Sequence, residues 1–221
     1  MRTLKVTGKG SISLAPDVVR LSLKASGIKK EYSETLALSS EEIKELQKVL
    51  TKLNFDPKDL KTLSFNVNSK YKTIYHERSS NEQIFLGYEY ERDMKLEFPL
   101  DNERLGKVLY ALAHSKVSVE ISISYTISDT EKAKDELLKN AIIDSKRKAQ
   151  ILALSSEVTL GEIQSIDYSW ATINFETRDL GYEIGEPMEE CRIGSAPSYD
   201  IDVEPEDIKA TDTVTVTWEI L

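Results

Sequence analysis

The sequence predicts an α+β fold: a split βαβ unit in the order β-α-β-β-α-β, then a long helix and a C-terminal antiparallel strand pair. Three observations predict it. Period-two strands alternate with helical apolar stripes from Val18 to Ile127. A further stripe recurs every fourth residue: Ala133, Leu137, Ala141, Ser145, Ala149 and Ala153. The chain then closes on a β-branched run, Thr211-Asp212-Thr213-Val214-Thr215-Val216-Thr217. The 221 residues are 40% apolar and 30% charged, ordinary for a globular protein with a real core.

Residues 4–14 read as an extended segment broken at Gly8 and Gly10, where a strand glycine signals a bulge or a close backbone approach. Pro16-Asp17 is a turn. In 18–25, Val19, Leu21, Leu23 and Ala25 form a buried face opposite Arg20, Ser22 and Lys24. A helix follows with Ser33 as its N-cap and one stripe of Leu36, Ile43, Leu46, Leu50 and Leu53. Asn54-Phe55-Asp56-Pro57 ends it, because proline and the residue before it resist helical geometry. Residues 60–74 form a long strand with Leu63, Phe65 and Val67 on one face. A polar tip at 77–82 turns the chain into a second long strand, 84–98, closed by Pro99.

Asp101 caps a short helix carrying Leu105, Val108, Leu109 and Leu112. The strand 117–127 sets Val117, Val119, Ile121, Ile123 and Tyr125 against alternating polar residues. Ser128-Asp129-Thr130-Glu131 reads as a capping box opening the longest helix, which runs to about Ser155. Its mostly small stripe lets it lie close to a sheet or another helix. Residues 160–173 form a strand started by Gly161, and 210–220 form the last one.

The net charge is −9, which argues against a nucleic-acid partner, since an acidic chain gains nothing from releasing phosphate counterions. The charge is local. Between Asn174 and Ala210 eleven acids face only Arg178, Arg192 and Lys209, and residues 177–207 read as an acidic loop. The single cysteine, Cys191, lies within it, so no intrachain disulfide forms. No apolar run approaches a membrane span, and no apolar leader segment precedes the first strand. A cytoplasmic protein is expected.

Four stretches taken together resemble the SIMPL-domain family, a family of largely unknown function that includes a bacterial periplasmic immunogenic antigen. They are Val6-x-Gly8-x-Gly10 with Pro16-Asp17; Gly87-Tyr88 leading into the strand that ends at Phe98; Ala141-x-x-x-Ser145-x-x-Lys148-Ala149-x-x-Leu152-Ala153 followed by Leu160-Gly161-Glu162-Ile163; and the strand from Ala210 to Val216. They fall in the family's order across nearly the whole chain. The resemblance implies a two-part α+β fold and no established catalytic site. It also implies a bacterial protein in a family whose members are often exported and can assemble into large rings. Some members are linked to envelope or oxidative-stress phenotypes. Ser115-Lys116 stands where the family often has a glycine. A single SIMPL-like domain over 1–221 is expected, with a 17–127 lobe and a second lobe of 1–16 with 128–221.

No residue is assigned as catalytic, cofactor-binding or metal-binding, and no cofactor is expected. His76 and His114 are the only histidines and lack nearby ligand partners in sequence. Glu189, Glu190, Asp200, Asp202, Glu204, Glu206 and Asp207 are carboxylates a hard cation would accept, but without EF-hand spacing. Gly8-x-Gly10 lacks the remainder of a phosphate loop, and Ser11 and Ser13 lack a histidine base. Lys146-Arg147-Lys148 reads as a wet helix face; Tyr71, Tyr75, Tyr88 and Tyr90 read as cross-strand pairs. The expected function is a non-enzymatic oligomeric assembly or scaffold, a homo-oligomer or the platform for a protein partner. Its contacts are the 60–98 hairpin, whose strand edges would pair between subunits, and the acidic loop. The alternative is a small-ligand or cation-binding protein using that loop.

Overall fold

A computed structural model of the chain describes residues 2–74, 82–168, 173–177, 180–182 and 198–221. In chain order the elements are β1 (Arg2–Leu14), β2 (Val18–Lys29), α1 (Tyr32–Lys52), β3 (Lys61–Ile74), β4 (Glu82–Pro99), α2 (Asn102–Ala113), β5 (Val119–Thr126), α3 (Thr130–Ser155), β6 (Leu160–Tyr168), β7 (Leu180–Tyr182) and β8 (Ile208–Ile220). The fold is α+β, and the β-α-β-β-α-β order from β2 to β5 is present. The chain divides into two compact units. One comprises Met1–Asp17, Tyr125–Thr177 and Pro205–Leu221; the other comprises Val18–Ser124 and Arg178–Glu204.

In the first unit β8 is the central strand of a three-stranded sheet, β1-β8-β6. It pairs antiparallel with β6, as the C-terminal strand pair requires. It also pairs antiparallel with β1, without a register shift, from Arg2↔Ile220 to Leu14↔Ile208. The two glycines therefore do not break β1. They serve close approach instead: a Cβ on Gly8 would run into the Ala141 carbonyl and Ser145 of α3, and one on Gly10 into the Leu137 carbonyl. The helix can come this near because its stripe of Ala133, Leu137, Ala141, Ser145, Ala149 and Ala153 is buried throughout. Val6, Val214, Val216 and Trp218 fill the space around Ala141 and Ala149.

The same helix also satisfies the backbone of β1. Lys148 Nζ donates to Thr7 O at 3.2 Å, Asp144 Oδ2 accepts from Lys9 N at 2.9 Å, and Asn140 Nδ2 donates to Ser11 O at 3.3 Å. These three residues alternate along β1, so their groups point to one side, and side chains complete that edge. Lys148 bonds the strand edge while its side chain stays 40% exposed on the wet face, and it also pairs with Asp144 at 2.7 Å. The bonds from Lys148, Lys9 N and Arg147 hold the Asp144 carboxyl well below the usual carboxylate range. The helix begins differently from a Ser128 capping box. Asp129 is the N-cap and accepts from Lys132 N, while the Ser128 hydroxyl donates to Asp17 at 2.6 Å. A tertiary partner has taken the serine.

The second unit is a five-stranded sheet ordered β3-β4-β2-β5-β7. With β2 and β4 central, this is the split βαβ arrangement. Helix α1 packs on β2, β4 and α2. Its N-cap is Glu31, not Ser33, and no side chain caps it. Thr35 fixes the start instead, its hydroxyl donating to Glu31 O and, at 3.1 Å, to Tyr88 O of the sheet. The buried face is Thr35, Ser39, Leu46 and Leu50, so Leu36, Ile43 and Leu53 flank the contact rather than centre it. Asn54, with φ of 62°, turns the chain out of the helix before Pro57 is reached. Asp101 caps α2 by accepting from Arg104 N, and Leu105, Val108, Leu109 and Leu112 are buried as expected.

Gly8→Ala and Gly10→Ala should each destabilise the protein by about 2–3 kcal/mol, because overpacking outweighs the smaller gain from a stiffer unfolded chain. Equilibrium urea unfolding measures this, and unchanged midpoints would refute the close-approach account. Asp144 has a depressed folded pKa. Its stabilisation is therefore complete above about pH 4, the unfolded aspartate value, and is lost as pH falls through the lower folded value. Asp144→Asn should flatten that acid limb in a series of thermal melts against pH; parallel curves for the two proteins would contradict it.

Candidate functional site

Among the described residues, strand β3 meets β4 and, to any substantial extent, no other element. It is an edge strand, and α1 does not reach over it. Its sequence carries an apolar row nonetheless, and that row is left exposed. Leu63 is 60% exposed and Phe65 is 38% exposed. Leu63 is the extra residue of a bulge, since Thr62 pairs with Met94 and Ser64 with Asp93.

A second bulge lies across from it in sequence, where Lys70 pairs with Gly87 but Tyr71 with Phe85, leaving Leu86 unpaired. Gly87 sits at φ +143°, and a Cβ there would collide with the Lys29 carbonyl, so only glycine allows this bend. The bend gathers the Phe85 and Tyr88 rings. The result is a continuous chain of rings: Tyr71 to Phe85, Phe85 to Tyr88, and Tyr88 to Tyr32 of α1, each with centroids 5.4 Å apart. Edge and tilted contacts are the favoured aromatic geometry. Tyr71 and Tyr32 are about half exposed, and Ile84, Leu86 and Ile28 lie exposed nearby in the pairing register.

Polar residues run along the alternate positions of the same strands. Ser64 donates to Asp93, Lys70 pairs with Glu89 at 2.6 Å, and Arg20 and Lys95 both bond Glu97. Desolvation opposes the charged form of Glu97, but the two cations outweigh it and lower its pKa. The edge itself is guarded. The charges of β3 are Lys61, Lys70 and Lys72, all of one sign, and the two bulges distort it; both features discourage strand-to-strand addition.

Within the 177–207 segment, β7 pairs with β5, so the acidic loop is not without structure. Residues 198–204 lie along α2. Tyr199 N donates to Gly106 O at 3.3 Å, Asn102 Nδ2 donates to Val203 O at 3.1 Å, and the rings of Tyr199 and Tyr110 approach to 5.5 Å. Asp200, Asp202 and Glu204 alternate with half-buried Tyr199, Ile201 and Val203 and are exposed. Extended backbone spaces such carboxylates by about 7 Å, too far to share one ion. Among the described residues no group of three or more potential metal ligands gathers. His114 is the C-cap of α2, with Nδ1 2.8 Å from Tyr110 O and its ring stacked on Tyr110. Ser13 donates to Asp207. Tyr75, His76, Glu189, Glu190 and Cys191 lie outside the described residues.

A cleft of about 500 Å³ is lined by Lys52, Asn54, Asp101, Arg104 and Lys107. Its groups are engaged: Arg104 lies over Phe55, Lys107 bonds Glu103, and Asp101 caps α2. Ser39 Oγ, Glu42 Oε2, Tyr90 OH and Arg92 Nε are buried without a hydrogen-bond partner among the described residues. An unbonded buried polar group costs about 1–3 kcal/mol, so four on facing elements stand out. Sequence periodicity gave no sign of them, because Ser39 and Glu42 flank the leucine stripe and Tyr90 and Arg92 look like ordinary strand residues.

The geometry defines a class: an α+β protein whose second unit has a split βαβ sheet with an uncovered aromatic hairpin face. The chain belongs to the SIMPL family, described as "Protein of unknown function (DUF541)", whose model matches residues 4–218. Comparison with curated proteins finds no match.

Gly87→Ala should destabilise the protein by about 2–3 kcal/mol, through both the positive φ and the collision with Lys29. Leu86→Ala, at an exposed bulge position, should cost well under that. Equal urea midpoints for the two variants would refute the role given to Gly87.

Proposed function

We propose that this chain is a non-enzymatic assembly or scaffold protein that self-associates through the aromatic face of the β3–β4 hairpin. The observation that supports this reading is the run of Tyr32, Tyr88, Phe85 and Tyr71, with exposed Phe65 further along β3, on a face that α1 leaves uncovered. Contiguous exposed apolar surface on a soluble protein marks an interaction site, and aromatic residues are enriched in the cores of such interfaces. A second copy of this chain is the occupant the surface fits. The face is predominantly aromatic, with Arg92 over the Phe65 ring and Glu89, Glu91, Asp93 and Glu97 on the alternate positions, so two copies can meet with few ions buried. At a net charge of −9 two copies repel at long range, so added salt should strengthen the contact.

Tyr71→Asp combined with Phe85→Asp should lower the molecular mass in solution toward that of one chain. The thermal midpoint should hold to within a few degrees, since both rings are substantially exposed already. Light scattering coupled to size exclusion reads the mass and circular dichroism the melt. An unaltered assembly in the folded double variant would sink the proposal.

A further inference from the structure

The cleft of about 500 Å³ in the second unit gathers cations from two helices. Lys52 comes from the last turn of α1, and Arg104 and Lys107 come from the first two turns of α2. The two carboxylates of the cleft have their partners inside the protein. Asp101 accepts from Arg104 N as the N-cap of α2, and Glu103 pairs with Lys107. Arg104 is held by stacking alone. Its guanidinium carbon lies 4.1 Å from the Phe55 ring centre and 5.6 Å from that of Phe98. Stacking occupies the flat face of a guanidinium and leaves its N–H rim for other partners. Among the described residues that rim makes no hydrogen bond or ion pair, and neither does the Lys52 ammonium group.

We infer that this cleft binds a soluble phosphate monoester, with the phosphate held between Arg104 and Lys52. A monoester carries close to two negative charges near pH 7, one for each cation without an anionic partner. Its free oxygens accept from the planar fork of Arg104, from the point charge of Lys52 and from the Asn54 amide on the cleft wall. A carboxylate has only two oxygens, and the Arg104 fork alone would use both. An apolar ligand would leave both cations desolvated and unpaired. The first turn of α2 adds its positive end, while Lys52 offsets the negative end of α1. The volume falls within the range of small-molecule sites, so the organic part of the ester has room. The site lies within one copy and shares no residue with the hairpin face, so it does not depend on self-association.

Calorimetric titration of the full chain with glycerol 3-phosphate tests the inference, with dimethyl phosphate as the singly charged comparison. Glycerol 3-phosphate should bind once per chain, in the millimolar range or tighter. Dimethyl phosphate should bind about tenfold more weakly. Lys52→Gln and Arg104→Gln should each weaken glycerol 3-phosphate about tenfold while circular dichroism shows a folded protein. Lys44→Gln removes the same charge from an exposed position two turns earlier on α1 and should leave binding unchanged. Should Arg104→Gln fail to fold for want of its stacking, the exposed Lys52→Gln decides alone. No binding, equal binding of dimethyl phosphate, binding unchanged in Lys52→Gln, or an equal loss in Lys44→Gln would overturn the proposal. Binding to phosphatidylcholine vesicles that carry phosphatidic acid, with none to glycerol 3-phosphate, would also overturn it by placing the monoester on a lipid. Tyr71→Asp combined with Phe85→Asp should bind normally, which separates failure here from failure of the assembly reading.

Discussion

Backbone lies against backbone where β1 meets α3, and the first unit is organised around that contact. Two glycines on the strand and a stripe of alanines and a serine on the helix bring the main chains closer than any larger side chain allows. Close approach puts Asp144, Lys148 and Asn140 within reach of the backbone of β1. One geometric constraint thus fixes strand position, edge protection and the low pKa of Asp144 together. With β1 held in this way, β8 pairs along its whole length and carries β6 on its other side.

The second unit is governed by a shortage of cover. Helix α1 packs on β2 and β4, and β3 lies beyond it. An edge strand with Phe65 and Tyr71 exposed is a hazard unless the edge is blocked. Lysines and bulges block the edge, while the face stays apolar. Guarding the edge while leaving the face bare fits a surface meant for a specific contact rather than for open-ended strand addition.

Much of this architecture was legible in the sequence, and the reasons are local. Asp101 before a helical stripe, the every-fourth small residues of α3 and the β-branched run of β8 each specify an element without help from elsewhere. The glycines of β1 announced a special position, but only the facing helix decides between bulge and close approach. Misread positions share one cause: a tertiary partner overrode a local preference. Ser128 was taken from its helix by Asp17, and Ser33 gave way to a helix start set by the bond from Thr35 to Tyr88. Leu63 and Phe65 alternate like a buried face, yet nothing in their spacing tells that β3 lies beyond α1. The candidate surface was legible only as a long hairpin. The bulge at Leu86 that gathers its rings depends on Gly87 meeting Lys29 of another strand.

The central claim is that the hairpin face holds copies of the chain together. The most direct test is the mass of the unaltered protein in solution, measured by light scattering across a range of concentration and salt. The account predicts a defined species that is a multiple of 25.0 kDa and is favoured by salt. A species of one chain at every concentration would contradict it.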